Sequence, residues 1–379
     1  MSFMKIVALK ERAPGETRAA ISPEVAKLLV KKGFIVVVEK DIGAQSHFTD
    51  QNYIESGAKV STIPLEILSD ADIILKVQPS PLIDQFNEID LAKPGAIIVG
   101  LLSPYSNYNY LSKLHKKKLT GISMELVPRI SKAQNMDALS SQSNLAGYMA
   151  VIAASYHMSK AFPMMITAAG TIAPIKVLVI GVGVAGLQAI ATAKRLGAVV
   201  SAYDVRSSTK EQVESLGAKF ISSEISNHPE NKSGYATELT VDYQKIQHQL
   251  LSTVIKNYDL VITTAQVPGK QAPRLITEEM LKLMKPGSLI VDMATSTGGN
   301  VEGSKTDEII VKNRIKIIGF ANLASRIAHD SSKLYSKNLY NFLDYAIQAG
   351  NLNFEDELVK QMLITKNGEI IHEQFKGII

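Results

Sequence analysis

The chain has 379 residues, 46% hydrophobic and 20% charged, so it is long enough to form two globular domains of ordinary size. Its formal net charge of +5 is a mild excess for this length and does not indicate a nucleic-acid-binding protein. The absence of cysteine excludes disulfides, thiolate zinc sites and a cysteine nucleophile, and the seven histidines have no metal-ligand spacing.

The segment from Met1 to Arg18 lacks the basic and long apolar parts of a signal peptide. The apolar stretch from Met164 to Ala193 is broken by Gly170, Pro174 and Lys176, and by the glycines of a motif described below. We therefore predict no membrane-spanning helix. Together with the lack of cysteine, these features favour a cytoplasmic protein without bound metal.

Short apolar segments alternate with helical segments over the first third of the chain. The predicted strands include Met4–Leu9, Phe34–Val38, Ile73–Val77 and Ala96–Leu101. Ser22 and Pro23 are typical of the N-cap and first position of a helix. Because strands that alternate with helices form parallel sheets, this region predicts a doubly wound α/β domain.

The segment from Glu125 to Leu145 is polar and has no clear period. We predict a loop that leads into a helix over about Ser143–Lys160, at the junction between two domains. Ligands commonly bind at such junctions, so the polar side chains are candidate ligand contacts; a solvated linker is the alternative.

The stretch from Lys176 to Asp204 has the pattern of a βαβ dinucleotide site. An apolar strand is followed by glycines in the frame G-x-G-x-x-G, then by a helix over Leu187–Leu196 and a second strand that ends at Asp204. We expect Gly181 to allow the tight turn, Gly183 to let the backbone approach a pyrophosphate, and Gly186 to let the helix pack closely. Asp204 is placed to accept hydrogen bonds from the adenosine ribose and favours NAD over NADP. Arg206 either weakens that preference or is a solvated strand-end residue.

Later segments complete the predicted architecture. Strands at Leu260–Thr264, Ser288–Met293 and Ile315–Ile318 extend the second sheet, and the polar segment Ile221–Thr240 is expected to be a mobile loop. The predicted fold class is α/β, with two Rossmann-like doubly wound parallel-sheet domains, the first completed by the C-terminal segment. The expected domains are residues 1–135 plus 325–379, and residues 136–324.

Several blocks together resemble the NAD(H)-binding domain of proton-translocating NAD(P) transhydrogenase, in the form of a separate α1 subunit, and this family is a relative of alanine dehydrogenase. They are PRISKAQNMDALSSQSNLAGY, TAAGTIAPIKVLVIGVGVAGLQAIATAKRLGA, AYDVR, ITTAQVPGK and VDMATSTGGN. The resemblance implies a homodimer, peripheral on the cytoplasmic face of the inner membrane, that binds NAD(H). It also implies a membrane-embedded proton-conducting subunit and an NADP(H)-binding subunit, with direct, Si-Re specific hydride transfer between the nucleotides.

The same resemblance assigns site residues. Positioning roles at the nicotinamide and its ribose fall to Arg129, Gln134 and Asp137, with Ser140 beside them. The other implied contacts to NAD(H) are Gly181, Val182, Gly183, Val184, Ala185, Gly186, Asp204, Val205, Arg206, Gly234, Tyr235, Gln247, Thr264, Ala265 and Gln266. At Gln266 many relatives have an aliphatic residue. No catalytic acid or base is needed for direct hydride transfer.

Two other functions compete with this one. An alanine dehydrogenase would retain Lys10, Glu11, Arg18 and Lys76, but Ser103 and Ser296 occupy the positions of that family's catalytic histidine and aspartate. Lys76 and Arg18 are then expected to form structural ion pairs. A non-catalytic NAD-sensing module is also compatible with the fold.

Overall fold

The computed structural model describes residues 4–83, 87–222, 241–267 and 269–377. The chain divides into two compact units. The first comprises Met1–Gln142 and Ala324–Ile379, and the second comprises Ser143–Leu323. Residues 136–142, which were expected in the second domain, thus belong to the first unit.

The N-terminal segment of the first unit alternates strands and helices. Its strands are β1 (Lys5–Ala8), β2 (Ile35–Glu39), β3 (Lys59–Ser61), β4 (Ile73–Leu75), β5 (Ile97–Gly100) and β6 (Thr120–Ser123). Its helices are α1 (Pro23–Lys31), α2 (Asp50–Glu55), α3 (Pro64–Leu68), α4 (Glu88–Leu91) and α5 (Tyr108–Lys116). Ser22 caps α1 by accepting a hydrogen bond from the Val25 N–H, with Pro23 in the first turn as the sequence predicts.

Helix α6 (Ala138–His157) contains the change from the first unit to the second. The following strands are β7 (Met165–Thr167), β8 (Gly170–Ile172), β9 (Lys176–Ile180), β10 (Val199–Tyr203), β11 (Lys219–Phe220), β12 (Leu260–Thr263), β13 (Leu289–Asp292), β14 (Ile309–Lys312) and β15 (Ile315–Ile318). The helices among them are α7 (Val184–Arg195), α8 (Lys210–Ser215), α9 (Val241–Ile255) and α10 (Glu278–Leu283).

The C-terminal segment returns to the first unit. It contains α11 (Ala328–Ala346), β16 (Ile347–Gln348), β17 (Asn351–Leu352), α12 (Glu357–Met362), β18 (Leu363–Lys366) and β19 (Glu369–Ile370). Strand β18 pairs antiparallel with β6, and β19 pairs antiparallel with β18, so this segment supplies one edge of the first sheet.

Both large sheets have the doubly wound order. The first runs β19-β18-β6-β5-β4-β1-β2-β3, and the second runs β11-β10-β9-β12-β13-β15-β14. Neighbours within β1–β6 are parallel, and only β14 is antiparallel among the described strands of the second sheet. The predicted fold class is confirmed. In each sheet the strand order reverses beside the first strand of that unit, where α/β folds bind ligands.

Each central strand is buried on both faces. Val177 and Val179 of β9 belong to one apolar cluster, and Leu178 and Ile180 belong to another, as alternation along a strand requires. Helices cover both sides of the sheet, which explains why the strand is continuously apolar.

Three expectations about elements need correction. Helix α6 covers Ala138–His157 rather than Ser143–Lys160, because Asp137 accepts the Ser140 N–H and begins the helix earlier. Helix α11 begins at Ala328, well before the expected Leu339. The hairpin of β7 and β8 was not predicted, since its short strands lie within a longer apolar stretch. Among the described helices, none is long and apolar enough to span a bilayer.

Candidate functional site

The motif glycines of the second unit lie at the carboxyl end of β9, next to the point where the strand order reverses. Gly181 has φ +95°, a conformation that glycine adopts without strain, and a Cβ there would lie 2.7 Å from Thr264 Oγ1. A Cβ at Gly186 would lie 3.0 Å from the Gly181 carbonyl carbon and closer to its oxygen. Both positions therefore require glycine for close packing.

Gly183 has a different environment. No atom of the described residues lies within 4 Å of a Cβ built at this position, and Gly183 and Val184 are exposed. Gly183 is also the N-cap of α7 and has no side chain with which to cap the first N–H groups of that helix. Open backbone at a helix N-terminus is suited to a phosphate group.

Asp204 follows β10 and is almost fully buried. Its Oδ2 accepts the Val182 N–H at 2.7 Å, which links the strand tip to the glycine loop. Arg206 donates to both carboxylate oxygens, at 2.9 Å and 3.0 Å, and to the Val182 carbonyl at 3.1 Å. The arginine is thus engaged by the loop rather than by solvent alone, and Asp204 holds the loop in shape.

The loop after β12 faces the glycine loop. Thr264 Oγ1 donates to the Gly181 carbonyl at 2.9 Å, and Gln266 Nε2 donates to the Met293 carbonyl at 2.8 Å. These bonds bring Thr264 and Ala265 beside the turn that follows β9, while the amide of Gln266 is turned toward β13.

Two further assigned residues support the site from behind. Val205 packs against the apolar cluster that contains Tyr203. Gln247 is buried and hydrogen-bonds the Tyr203 hydroxyl, whose pKa is raised by burial despite that bond. Gly234 and Tyr235 lie outside the described residues.

The polar segment lies in the first unit. Residues Ser131–Met136 form a 3₁₀ helix, in which Ala133 and Met136 share one face and are buried in the core. The Asn135 carbonyl accepts a hydrogen bond from Asn338 and another from Asn341, each at 2.9 Å. Because its neighbours are fixed in this way, Gln134 is presented on the exposed side of the segment.

The other assigned residues of this segment lie at its ends. Arg129 is exposed and precedes the 3₁₀ helix. Asp137 accepts both the N–H and the hydroxyl of Ser140, at 2.8 Å and 2.5 Å, and so occupies the N-cap position of α6. This arrangement presents charged and amide groups without a histidine among them.

A buried ionic cluster lies at the equivalent strand ends of the first sheet. Lys76 Nζ is 3.2 Å from Glu11 Oε2 and 3.9 Å from Glu88 Oε2, and all three side chains are almost inaccessible. Glu11 also accepts the N–H groups of Val77 and Gln78, at 2.8 Å and 3.2 Å. The crevice where this sheet would bind a ligand is therefore filled by the protein's own groups.

The charges in this cluster do not balance, since one ammonium faces two carboxylates. Burial raises the pKa of Glu11, against the opposing attraction of Lys76. Burial also acts to raise the pKa of Glu88, but Lys76, Ser80 and Tyr110 stabilise its charged form and the net shift is downward. Glu11 is thus the carboxylate that more readily takes up a proton.

Arg18 is engaged in a similar way. Its guanidinium donates to both oxygens of Glu16, at 2.7 Å and 2.6 Å, and to Gln142 Oε1 at 2.7 Å, all in buried surroundings. Ser103 has φ +52° and donates its N–H to Glu125, whereas Ser296 is exposed in a short 3₁₀ helix. Neither serine provides a proton-transferring group of the histidine or carboxylate type.

Comparison with known proteins follows the division into units. Residues 7–146 match the family model "Alanine dehydrogenase/PNT, N-terminal domain", and residues 150–373 match "Alanine dehydrogenase/PNT, C-terminal domain". The chain belongs to the alanine dehydrogenase/PNT family. Both matches together cover most of the chain, including every described residue of the glycine loop and the polar segment.

Individual relatives of this family are more specific. The chain is 64% identical to the first portion of NAD(P) transhydrogenase subunit alpha, a separate protein in Rickettsia prowazekii, over 97% of its length and 96% of that protein. It is 49% identical to the protein of the same name from Rhodospirillum rubrum, over 99% of both chains. An alanine dehydrogenase of Methanococcus maripaludis is 26% identical over 96% of this chain and 93% of its own.

Solved structures agree. A transhydrogenase from Sinorhizobium meliloti has a TM-score of 0.88 at 47% identity, covering 97% of this chain and all of that one. An L-alanine dehydrogenase has a TM-score of 0.83 at 22% identity, over 99% of both chains, which shows the shared fold. These family members support a transhydrogenase subunit.

Two structural residues near the site were not found from the sequence. Gly147 of α6 lies against the first turn of α7, and Asn300 lies against the loop after β12. A glycine within a helix and the pair of glycines before Asn300 were the available signals, but the partners are distant in sequence.

Proposed function

We propose that this chain is the NAD(H)-binding subunit of a proton-translocating transhydrogenase and passes hydride directly between NADH and NADP⁺. The observation that carries the proposal is the glycine loop. Its open backbone at Gly183 and Val184 leads into the uncapped N-terminus of α7, and Asp204 holds the loop from the next strand. This arrangement fits a pyrophosphate and an adenosine ribose.

The nicotinamide ring supplies the hydride chemistry when NAD(H) is bound, and the chain's own residues bind and orient it. Gly181 to Gly186 hold the pyrophosphate, and Asp204, Val205 and Arg206 the adenosine ribose. Thr264, Ala265, Gln266 and Gln247 border the site. Gln134, with Arg129, Asp137 and Ser140, positions the nicotinamide half. Gly234 and Tyr235 are assigned to the same site.

Direct transfer requires two nicotinamide rings at near-attack distance and exclusion of water, without a protein acid or base. The polar segment agrees with this requirement, because it offers an amide, a guanidinium, a carboxylate and a hydroxyl but no histidine. NADP(H) is bound by a partner subunit, and proton movement occurs in a membrane-embedded partner. The chain is then peripheral, on the cytoplasmic face of the inner membrane.

The test is reconstitution. The purified chain is mixed with the cognate NADP(H)-binding component, and reduction of an NADP⁺ analogue by NADH is followed in single turnovers. Gln134→Asn retracts the amide by one methylene, so we expect hydride transfer to fall by on the order of 100-fold while NADH affinity changes much less. Asn135→Ala is the matched control, because Asn135 is exposed in the same 3₁₀ helix and its backbone carbonyl makes the described contacts.

Loss of NADH binding and of hydride transfer in equal proportion would remove Gln134 as a positioning residue. Absence of any hydride transfer by the wild-type chain with its partner would reject the transhydrogenase proposal. A non-catalytic NAD-sensing module would bind NADH in the same assay but transfer nothing.

A homodimer is part of the proposal and has its own support. The segment before β7 and the hairpin of β7 and β8 expose four apolar side chains, with Ile166 76% exposed and Met164 60% exposed, and Met165 and Ile172 partly so. Such a patch on one projecting element is suited to a second copy of the chain. Ile166→Asp should shift the sedimentation velocity profile toward the monomer, whereas Val311→Asp, at an exposed apolar position on β14, should not. An unchanged dimer with Ile166→Asp would reject the hairpin as the interface.

An amino-acid dehydrogenase activity is disfavoured by the same structure. Arg18 and Lys76 are committed to ion pairs with Glu16 and Glu11. NADH oxidation by the purified chain with pyruvate and ammonia is the corresponding assay, and measurable turnover would contradict the assignment.

A further inference from the structure

Behind the nucleotide loop lies a buried polar pair, Asp292 and Asn300, that the proposed contacts do not include. Both residues are completely inaccessible. Asp292 is the last residue of β13, and Asn300 follows eight residues later, after a short 3₁₀ helix and two glycines. A buried carboxylate and a buried amide each need several hydrogen-bond partners to avoid a large desolvation cost.

Asp292 shapes the segment that carries Asn300. Its Oδ1 accepts the N–H groups of Ala294 and Asn300, at 3.0 Å and 3.2 Å, and its Oδ2 accepts the Val301 N–H at 3.0 Å and the Ser304 hydroxyl at 2.6 Å. The carboxylate thus gathers one whole turn of chain around itself, as a charged acceptor of several N–H groups does efficiently.

Gly299 makes that turn possible. Its φ is +78°, and a Cβ there would lie 2.7 Å from Asp292 Oδ2. Gly298 is also left-handed, with φ +102°. Two successive residues of this kind direct the Asn300 side chain back toward the loop after β12, which no other residue type would allow without strain.

The Asn300 amide then pairs with the backbone of that loop. Its Oδ1 accepts the Ala265 N–H at 3.1 Å, and its Nδ2 donates to the Ala265 carbonyl and to the Pro273 carbonyl, each at 2.9 Å. The side chain therefore replaces a neighbouring strand for Ala265 and satisfies both of its backbone groups. The adjacent Thr264 donates to the Gly181 carbonyl at 2.9 Å, at the turn that begins the glycine loop.

We propose that Asn300 is a positioning residue for the nucleotide site, acting through Ala265 and Thr264 to set the distance between the loop after β12 and Gly181. Asp292 fixes Asn300 in turn. The proposal rests on the function proposed above, since it concerns the same NAD(H) site. It predicts that Asn300 affects NADH affinity through Thr264 and not through general stability.

The test is a double-mutant cycle on NADH affinity, measured by nucleotide fluorescence with the full-length chain. Asn300→Ser removes the amide, and Thr264→Val removes the hydroxyl that contacts Gly181 at nearly constant volume. We expect Asn300→Ser to weaken NADH binding about tenfold, equivalent to about 1.4 kcal/mol. In the Thr264→Val background the same change should have much less effect, because the link to Gly181 is already absent.

Asp259→Asn is the matched control. Asp259 is also buried and precedes β12, at the opposite end of the strand from Thr264, and it accepts the Lys176 N–H at 2.9 Å. Its replacement should lower the thermal unfolding midpoint but leave NADH affinity within about twofold, since its lost hydrogen bond lies away from the site. A merely structural role of Asn300 would make the two variants alike at equal loss of stability.

The outcomes are distinct. Additive effects of Asn300→Ser and Thr264→Val, or unchanged NADH affinity in Asn300→Ser, overturn the inference while leaving the proposed function intact. Failure of the wild-type chain to bind NADH overturns the proposed function itself. Asn300→Asp, which keeps the shape and the acceptor, replaces Asn300→Ser if the latter does not fold. If neither variant folds, Asn300 is a determinant of folding and the positioning role is rejected.

Discussion

The close contact between α6 and α7 gives the sharpest prediction about the site. Gly147 lies in the middle of α6, where alanine is ordinarily favoured over glycine by about 1 kcal/mol. A Cβ at this position, however, would lie 2.9 Å from the Ala185 carbonyl carbon and 3.0 Å from its Cα, and closer still to its oxygen. All three atoms belong to backbone, so no side-chain rotation relieves the overlap.

The size of the effect follows from these distances. Non-bonded carbon atoms prefer separations of about 3.5–4.0 Å, so the first turn of α7 must move away from α6 by roughly 0.6–1 Å. Overpacking of this kind costs about 1–3 kcal/mol, which exceeds the gain in helix propensity, and Gly147→Ala should therefore destabilise the protein by about 1–2 kcal/mol. Because Ala185 belongs to the turn assigned to the pyrophosphate, a shift of that size should weaken NADH binding by on the order of 10-fold to 100-fold.

Two measurements check this, urea unfolding for stability and nucleotide fluorescence for NADH affinity. Ser155→Ala is the control, since it raises helix propensity in the same helix at a site where the serine hydroxyl only bonds back to the Ile152 carbonyl. If Gly147→Ala were as stable as Ser155→Ala and bound NADH normally, the reasoning from the α6–α7 contact would be wrong.

Two further perturbations follow from the charges. Lys76→Met should destabilise the protein by about 3–5 kcal/mol at pH 8, because it leaves Glu11 and Glu88 buried without their cation. Burial already raises the pKa of Glu11, and loss of Lys76 raises it further, so stability is present below the ordinary carboxyl pKa and is lost as pH rises through the raised value. Urea unfolding should therefore show a smaller loss at pH 5 than at pH 8, and equal losses would refute the assignment. Asp204→Asn should lower the ratio of NADH to NADPH affinity by about tenfold or more, because it removes the repulsion of a 2′-phosphate and releases Arg206; an unchanged ratio in paired titrations would contradict that role.

The sequence predicted the centre of each sheet well and the connections less well. Strand β9, α7 and β10 were found because their apolar periods and glycines are local signals. Helix α11 was shortened in the prediction, since its first half is polar on the exposed side and its buried serines resemble loop residues. The early start of α6 depends on Asp137, a cap inside a segment with no clear period.

The site divides in the same way. The glycine loop and Asp204 follow from a short pattern, whereas Asn300 acts on Ala265, 35 residues earlier in the chain. No period or composition reports such a bond, because it exists only after two strands have paired. The ion pair of Lys76 with Glu11 is also distant in sequence, and its burial is set by the tertiary structure.

The split composition of the first unit has a consequence for the order of synthesis. Residues 143–323 form the second unit from one continuous segment, but the first sheet obtains β18 and β19 from the end of the chain. At typical synthesis rates of about 5–20 residues per second, the stretch from 143 to 370 takes on the order of 10–50 s to emerge. During this time β6 has an open edge and the core lacks α11, whereas the second unit is already complete. The nucleotide-binding unit is therefore expected to fold on the ribosome before the unit that precedes it in sequence.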